Sequence, residues 1–581
     1  MKKAILYIFL FMPFWLVAQN RQQSPQGRKV YLEHADTISF DKKRDQELQV
    51  LRGNVLFRQD SIWMKCDSAY FYQSKNSFKA FSRVYMWEGD SLRMWCDSLS
   101  YDGERMEGEL FDHVVMFHNE TQLHTDYMIY YRQEEKAHYP EGGWIADPDN
   151  HLKSLNGWYY TDVRMAVFKN QVEMRHYDFS DVEPKPSCPD VEDENCHPQF
   201  TLYSDTLQYS FLFDDAWILG PSRIVNDSAT LYSDMGTVNT KSEETWLYAR
   251  SLAVSKGRSA TADTLYYNGK TGIGEAWGHF VAFDTLQHMS VEGDYCHYVD
   301  SPQVLTITRN ALAKEFSTKD TLFLHADTLR SYQAYRTRLV ESDPYSDADS
   351  VLAQKSTEFL PVTDTLHYLT CHFNVRYYRS DIQGVCDSLN YNHTDSLLTF
   401  VGNPVMWNGQ YQITGDTIFA YRAPVQGLDR VLIHENAFLT LKHDSIHYDQ
   451  ISGVALVCYF DSSRLERMDM SGNVQTVFYP EEEDRKSGTK SLIGLNQVIG
   501  NYLSIWFKQQ KMDHLKIWPQ PIGSLTPLPL ISEDILYLEG FRWMEYLRPV
   551  SPEDVFRDVR MKSEDQKEAV RLFDDNELNG W

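Results

Sequence analysis

The sequence is short of cations. Lys and Arg number 56 against 82 Asp and Glu, a formal net charge of -26. Phosphate binding relies on clustered Lys and Arg, so no nucleic-acid partner is expected. No Ser-His-Asp grouping stands out, and His113, His118 and His124 fall across turn and strand positions rather than forming a metal-ligand set. A polysaccharide-cleaving β-helix enzyme would need paired carboxylates on one face, whereas the acids here follow corners and loops. No low-complexity adhesive tract or cell-wall module is visible, which counts against a structural or adhesive surface repeat without a ligand. The reading is of a protein that is not an enzyme and has no cofactor and no metal. Cysteines are few, at eight. Cys188 and Cys196 share the loop PSCPDVEDENCHP and read as a local disulfide; with His197 they would supply three metal ligands and no fourth.

Long apolar runs are scarcer still. The single one, Ala4 to Val17, follows Lys2 and Lys3 and is followed by Ala18. A basic start, a short apolar core and a small residue are the parts of a secretory signal peptide, here residues 1–18. The run is too short for a bilayer core of ~30 Å. The mature protein is therefore expected to be soluble and to work outside the cytoplasm, where disulfides are permitted.

Aromatic residues, by contrast, are plentiful at 14%, with 36 Tyr and 14 Trp, and favour strands over helices. A motif recurs along most of the chain: Asp, Ser or Thr, an apolar residue, any residue, then an aromatic. It stands at Asp67–Phe71, Asp97–Tyr101, Asp205–Tyr209, Asp263–Tyr267 and Asp387–Tyr391, with looser copies starting at Asp126, Asp234, Asp294, Asp327 and Asp416. The aspartates at 67, 97 and 126, at 205, 234 and 263, and at 387 and 416 are spaced by 29 or 30 residues. Self-similarity at a fixed period marks stacked supersecondary units.

Alternation with period two surrounds each Asp, as in Ile62, Met64 and Cys66, or Leu92, Met94 and Cys96. That pattern gives a strand with one buried face. After the Asp the buried set continues with the opposite parity, at Leu99 and Tyr101 or Leu389 and Tyr391. An unbroken strand cannot switch parity, so Asp-Ser/Thr marks a bend or bulge, and the aspartates read as corner residues instead of catalytic or metal-binding ones. Cys66, Cys96 and Cys386 share one small inward site with Ser204, Ala262 and Gly293 of other copies. A second motif precedes the first: Gly53-Asn54-Val55, Gly278-His279-Phe280 and Gly402-Asn403-Pro404, with Asp112-His113-Val114 and Gly472-Asn473-Val474 at the same place. It reads as a turn that opens a new strand, giving a period of turn, strand, short turn and bent strand.

Three breaks interrupt the array: residues 180–200, 333–362 and 480–490. The segments between them are 19–180, 200–332 and 363–510, and a tail fills 511–581: its proline-rich run from Trp518 to Leu530 reads as extended along a surface, and its acidic end from Pro552 reads as helical or disordered.

GNVLFRQDSIWMKCDSAYFY, Gly53 to Tyr72, and GNPVMWNGQYQITGDTIFAY, Gly402 to Tyr421, resemble the OstA-like repeat of the organic-solvent-tolerance family, which includes the periplasmic bridge proteins of lipopolysaccharide transport. The resemblance covers, intermittently, residues 30 to 510. It implies an all-β fold: tandem β-jellyroll or β-taco repeats stacked into an elongated open sandwich, with a short C-terminal tail. It also implies a place in the periplasm, with association with the outer membrane left open, and a role in outer-membrane assembly. The ligand it implies is lipopolysaccharide, with the acyl chains of lipid A between the walls, and the partners are other export proteins joined by edge-strand pairing. The inward residues that would line such a groove are Val55, Phe57, Ile62, Met64, Leu92, Met94, Leu99, Tyr101, Leu207, Leu265, Leu389 and Ile413. A filled core would show the same alternation.

Overall fold

The computed structural model describes residues 29–40, 47–178, 197–249, 251–316, 320–341, 359–423, 428–461, 464–483, 490–508 and 511–559. The signal-peptide reading, Cys188 and Cys196 lie outside them. The described residues are almost entirely antiparallel β-strand, with a few short 3-10 turns and no α-helix among them. The chain divides into two compact units, Met1–Asp227 and Ser228–Trp581, where the sequence suggests three segments.

The first unit shows how a period is built. Strands β1 (Tyr31–His34) and β2 (Thr37–Phe40) pair with β3 (Leu48–Gln59), and β4 (Ile62–Tyr72), β5 (Ser77–Glu88), β6 (Leu92–Asp102), β7 (Glu107–His118) and β8 (Thr121–Tyr131) follow as a meander. Alternating long and short turns, at 73–76 and 60–61 for instance, close the hairpins. The long strands β3 to β8 are kinked at mid-length, so the sheet has two walls. Wall A holds residues 55–59 of β3 paired with 62–66 of β4; wall B holds 48–52 paired with 68–72.

The kink corrects the reading of Gly53-Asn54 as a turn that opens a new strand. Gly53 and Asn54 lie inside β3, where the register shifts between Arg52 and Val55. They form a two-residue bulge with both φ angles positive, +79° and +46°, so no strand begins there. Gly278-His279, Gly402-Asn403 and Gly472-Asn473 repeat that geometry, as do Ser82-Arg83, Asp112-His113, Arg309-Asn310, Phe373-Asn374 and Glu435-Asn436. Each bulge leaves an unpaired residue and bends the strand. Parity flips on the neighbouring strand: Ile62, Met64 and Cys66 are buried before Asp67, and Ala69 and Phe71 after it.

The Asp column holds the bulges in place. The Asp36 N–H donates to the Gly53 carbonyl at 2.9 Å, and the Asn54 amide donates to the Asp36 carboxylate at 3.2 Å. Asp294 with Arg309 and Asn310, Asp327 with Phe373 and Asn374, and Asp416 with Glu435 and Asn436 repeat both contacts. Arg83 takes the Asn role on Asp67, and His113 and His279 take it on Asp97 and Asp263. At Gly53 a Cβ would stand 2.2 Å from the Asp36 carboxylate, which explains glycine there.

In the second unit the 333–362 break is no boundary, because strands Thr328–Glu341 and Phe359–Arg379 pair along their length. Strands Lys511–Trp518 and Ile522–Pro527 both pair with Gly494–Lys508, so the sheet continues past residue 510. Residues 528–559 then run back as an irregular strap over the outer face of this unit's wall A. Gln412 donates to the Arg542 carbonyl at 2.7 Å and accepts from the Met544 N–H at 2.8 Å. Gln450 does the same with Leu536 and Leu538, both at 2.8 Å. Each glutamine amide thus stands in for a β-bridge.

Candidate functional site: the interior between the walls

In the first unit the interior is filled by its own side chains. Val55, Phe57, Ile62, Met64, Leu92, Met94, Leu99, Tyr101 and Leu207 all point inward and are buried. Phe57 of wall A stacks on Phe78 of wall B at 4.2 Å and meets Phe71 at 5.4 Å, so the walls touch across the space a ligand would need. Tyr130, Tyr139, Tyr159, Phe168 and Tyr209 fill the rest and are fully buried.

The free ends of the arms, opposite the kinks, are latched as well. Tyr101 of wall B donates to the Gln59 side chain of wall A, whose own amide donates to the Gly103 carbonyl at 2.9 Å. Tyr159 meets His118 Nδ1 at 2.8 Å, and Asn150 donates to the Tyr209 hydroxyl at 2.9 Å while holding His176. Arg132 reaches over to Asp60, Ser61 and Glu88 at 3.0 to 3.4 Å. Burial pushes the Tyr159 hydroxyl up to about 12 and the His118 and His176 imidazoles down. Each such bond contributes roughly 1 kcal/mol, and leaving a buried partner unmatched costs roughly 1–3 kcal/mol.

The second unit differs in side-chain size and in closure. Its inward positions between residues 251 and 307 include the small Ala253, Ala260, Ala262, Gly274, Ala276, Ala282, Gly293 and Cys296 beside Leu265, Tyr267, Phe280, Val291, Tyr298, Leu305 and Ile307. Residues beside the kinks, such as Ala276, Phe280 and Cys296, are buried, whereas Ala260, Leu265, Ala282, Val291 and Leu305 toward the arm ends stay half-buried at the margin of the core. Further on, Leu389 is buried and Ile413 half-buried against the same core. The predicted groove residues therefore divide: most are packed core of the first unit, and Leu265 and Ile413 lie on a partly open surface.

Two roles escape the alternation pattern. Where the small inward residue before the Asp is Cys or Ser it caps the kink: Cys66 and Cys386 donate to the carbonyl two residues on at 3.3 Å, and Ser204 does so at 2.9 Å. Burial raises the Cys66 and Cys96 thiols to about 12, which keeps them protonated and unreactive. The latches are the other role; their signal is the motif's closing aromatic being Tyr and a polar residue ending an otherwise apolar column. A concavity of about 1130 Å³ lies outside the walls, where the Trp144 face is taken by His124 at 3.9 Å and the Tyr203 face by Arg223 at 4.7 Å. Its rings are spoken for, and it is not the interior. Among the described residues no group of three or more His, Cys, Asp or Glu is disposed to hold a metal.

The site so defined is a two-walled β-interior, closed in one unit and ajar in the other. Residues 27–181 match the sequence model of the family described as OstA-like protein, so the first unit carries an OstA-like segment. A solved structure described as LptH from Pseudomonas aeruginosa, the LptA homologous periplasmic component of the conserved lipopolysaccharide transport device, is 12% identical. It covers 29% of this chain and 96% of its own, at a TM-score of 0.13, too low to weigh on function. No curated protein matches the chain.

Proposed function

We propose that the protein is a non-enzymatic periplasmic carrier of lipopolysaccharide in outer-membrane assembly, with the lipid A acyl chains held between the walls of the second unit. The observation that carries this reading is the half-buried apolar lining at Ala260, Leu265, Ala282, Val291 and Leu305 beside alanines and glycines that leave room. Removing ~12 methylenes from water is worth about 10 kcal/mol, enough to hold a chain against its loss of freedom. The OstA-like segment supports the same class of protein. Apolar edge strands offer partners a place to pair: Ile38 and Phe40 of β2, and Ile522 and Leu525 near residue 527, are exposed.

The test is photo-crosslinking in living cells from probes at Leu265 and Val291, with Met64 and Met94 as buried comparators. Lipopolysaccharide adducts at Leu265 and Val291, and none at Met64 or Met94, are expected. Clean probes at all four sites in a folded protein would replace this reading with a structural scaffold that holds no lipid.

A further inference from the structure

The outer faces of wall A in the two units can be aligned residue by residue. Met86-Trp87-Glu88-Gly89 and Met406-Trp407-Asn408-Gly409 occupy the same place, each Trp standing four residues after the second bulge residue, Arg83 or Asn403. Counting from Asp67 and Asp387 makes Trp63 equivalent to Gln383 and Lys65 to Val385. Counting from Asp97 and Asp416 makes Arg93 equivalent to Gln412. In the second unit this face is covered. Trp407 is 0% exposed beneath Met544 and Leu547, Arg548 donates twice to Gln383, at 2.6 and 2.9 Å, and Gln412 clamps the strap backbone.

In the first unit the same face is half-buried or exposed among the described residues and carries a different chemistry. Trp63, Tyr85, Trp87 and Trp95 stack on one another at 4.9 to 6.1 Å, half-buried or, for Trp95, 38% exposed. Lys65 and Arg93 are exposed, and neither has a carboxylate partner among the described residues. Between kink and tip the outward positions of β3 to β7 are Leu56, Arg58, Trp63, Lys65, Tyr85, Trp87, Arg93, Trp95, Val115 and Phe117, with no acid among them. That is a cationic, aromatic patch on a chain with a net charge of -26.

We infer that the face formed by Trp63, Lys65, Tyr85, Trp87, Arg93 and Trp95 is a docking surface for an acidic, aromatic, extended polypeptide segment of a partner chain, laid across the strands as the strap is laid across the second unit. Two observations select a polypeptide of that kind. The equivalent face of this molecule already carries one, bound through backbone groups and an apolar anchor. That occupant is itself acidic: residues 532–559 hold seven Asp and Glu against three Arg, with Tyr537, Phe541, Trp543, Tyr546 and Phe556 among them. With Arg93 at the place of the Gln412 clamp and Lys65 at the place of the apolar Val385, charge capture takes over from backbone capture and apolar contact, which speeds encounter and selects acidic segments.

The experiment uses the full-length protein and a fluorescein-labelled peptide of residues 532–559, read by anisotropy. Saturable binding that weakens with salt is expected, with affinity falling about tenfold in the Lys65→Glu/Arg93→Glu variant, whose two side chains are exposed and leave the fold intact. Trp87→Ala should weaken it as well. Gln412→Ala/Gln450→Ala, which loosens the resident strap, should leave this binding unchanged. Absence of binding to the wild type, or equal binding to the charge-reversed variant, overturns the inference. So does stronger binding in the glutamine variant alone, which would mean exchange with the resident strap. Flotation of the protein with phosphatidylethanolamine–phosphatidylglycerol vesicles that depends on Lys65 and Arg93, without peptide binding, would assign the face to a membrane surface and overturn it too.

Discussion

The same tyrosine column behaves differently in the two units. The aromatic that closes the repeat motif is Tyr101 or Tyr209 in the first unit, buried and bonded across the mouth to Gln59 or Asn150. In the second unit the column holds Tyr267, which is 37% exposed, Tyr298, which bonds to Asp300 on its own wall, and Tyr391, which meets His393 and accepts from Arg422 at 3.2 Å. One part exposed ion pair, Arg422 to Glu315 at 3.0 Å, crosses the second unit's mouth. A single backbone plan thus yields a sealed core or a partly open cleft, according to what stands opposite the tyrosine and how large the inward residues are. Packing density follows side-chain volume: phenylalanine, methionine and tyrosine fill the first interior, whereas the alanines and glycines between residues 251 and 307 leave that part of the second less filled than the core around Tyr377, Phe400 and Met470.

Truncations should separate the units most strongly. Phe57 is fully buried between the walls, and Phe57→Ala should cost about 3–5 kcal/mol, lost transfer energy plus a cavity. Leu265 is half-buried already, so Leu265→Ala should cost less than about 2 kcal/mol, because less surface is removed from water. Urea titrations followed by hydrogen exchange in strands Leu48–Gln59 and Thr264–Asn268 compare the two. Equal losses would break the contrast between a sealed and an ajar interior.

Much of this plan was legible from residues alone. The period, the inward columns at Ile62, Met64, Leu92 and Met94, and the corner role of the aspartates follow from alternation and its parity switch, which are local consequences of strand geometry. The Gly-Asn motif misled because glycine and asparagine serve hairpins and bulges equally well; both need positive φ. Only the partner strand, with Asp36 opposite Gly53, decides between them. Whether an inward residue meets another wall or a space is a long-range fact, and nothing near Val55 or Leu265 in the sequence encodes it. The strap has no such signal: its glutamine clamps, Gln412 and Gln450, sit in strands that look ordinary.

Acid should sharpen the contrast further, by a smaller margin. Burial lowers the imidazoles of His118, His138 and His176 in the first unit, where the exposed His113 is raised by Asp97. A histidine held below its unfolded value of about 6.5 leaves the unfolded state with more bound protons below that pH, so its stability is full above pH 6.5 and lost as pH falls. In the second unit His279 and His443 are raised by Asp263 and Asp449, and His325 is lowered by burial. The raised pair contributes in the opposite sense, present below the unfolded value and lost as pH rises. Buried Asp147, raised to about 6, adds a penalty in the first unit that fades as it takes up a proton, partly offsetting the loss at lower pH. Lowering the pH from about 7.5 to about 6 should therefore destabilise the first unit more than the second. Hydrogen exchange at both values measures it, and the slope should flatten in His118→Gln/His176→Gln. A uniform response in both units would remove electrostatics from the comparison.

The smallest expected effect tests the kinks, which the units share. Phe373 is the first residue of its bulge, with φ +62° and 67% of its surface exposed, where other copies place Gly53, Gly278, Gly402 and Gly472. A bulky side chain in the left-handed region is strained, whereas the contact that holds the bulge, the Asp327 N–H to the Phe373 carbonyl at 3.0 Å, uses only backbone. Phe373→Gly should relieve the strain and lose little packing, raising stability by up to ~1 kcal/mol after the added freedom of the unfolded glycine is set against it. Ser82→Gly in the first unit removes the same strain but also the 2.6 Å bond from the Ser82 hydroxyl to Asp67, so its gain should be smaller or absent. Thermal melts of the two variants rank them. A larger gain at Ser82 would mean that the Asp67 contact does not hold the bulge, and that the kinks of the two units are stabilised differently.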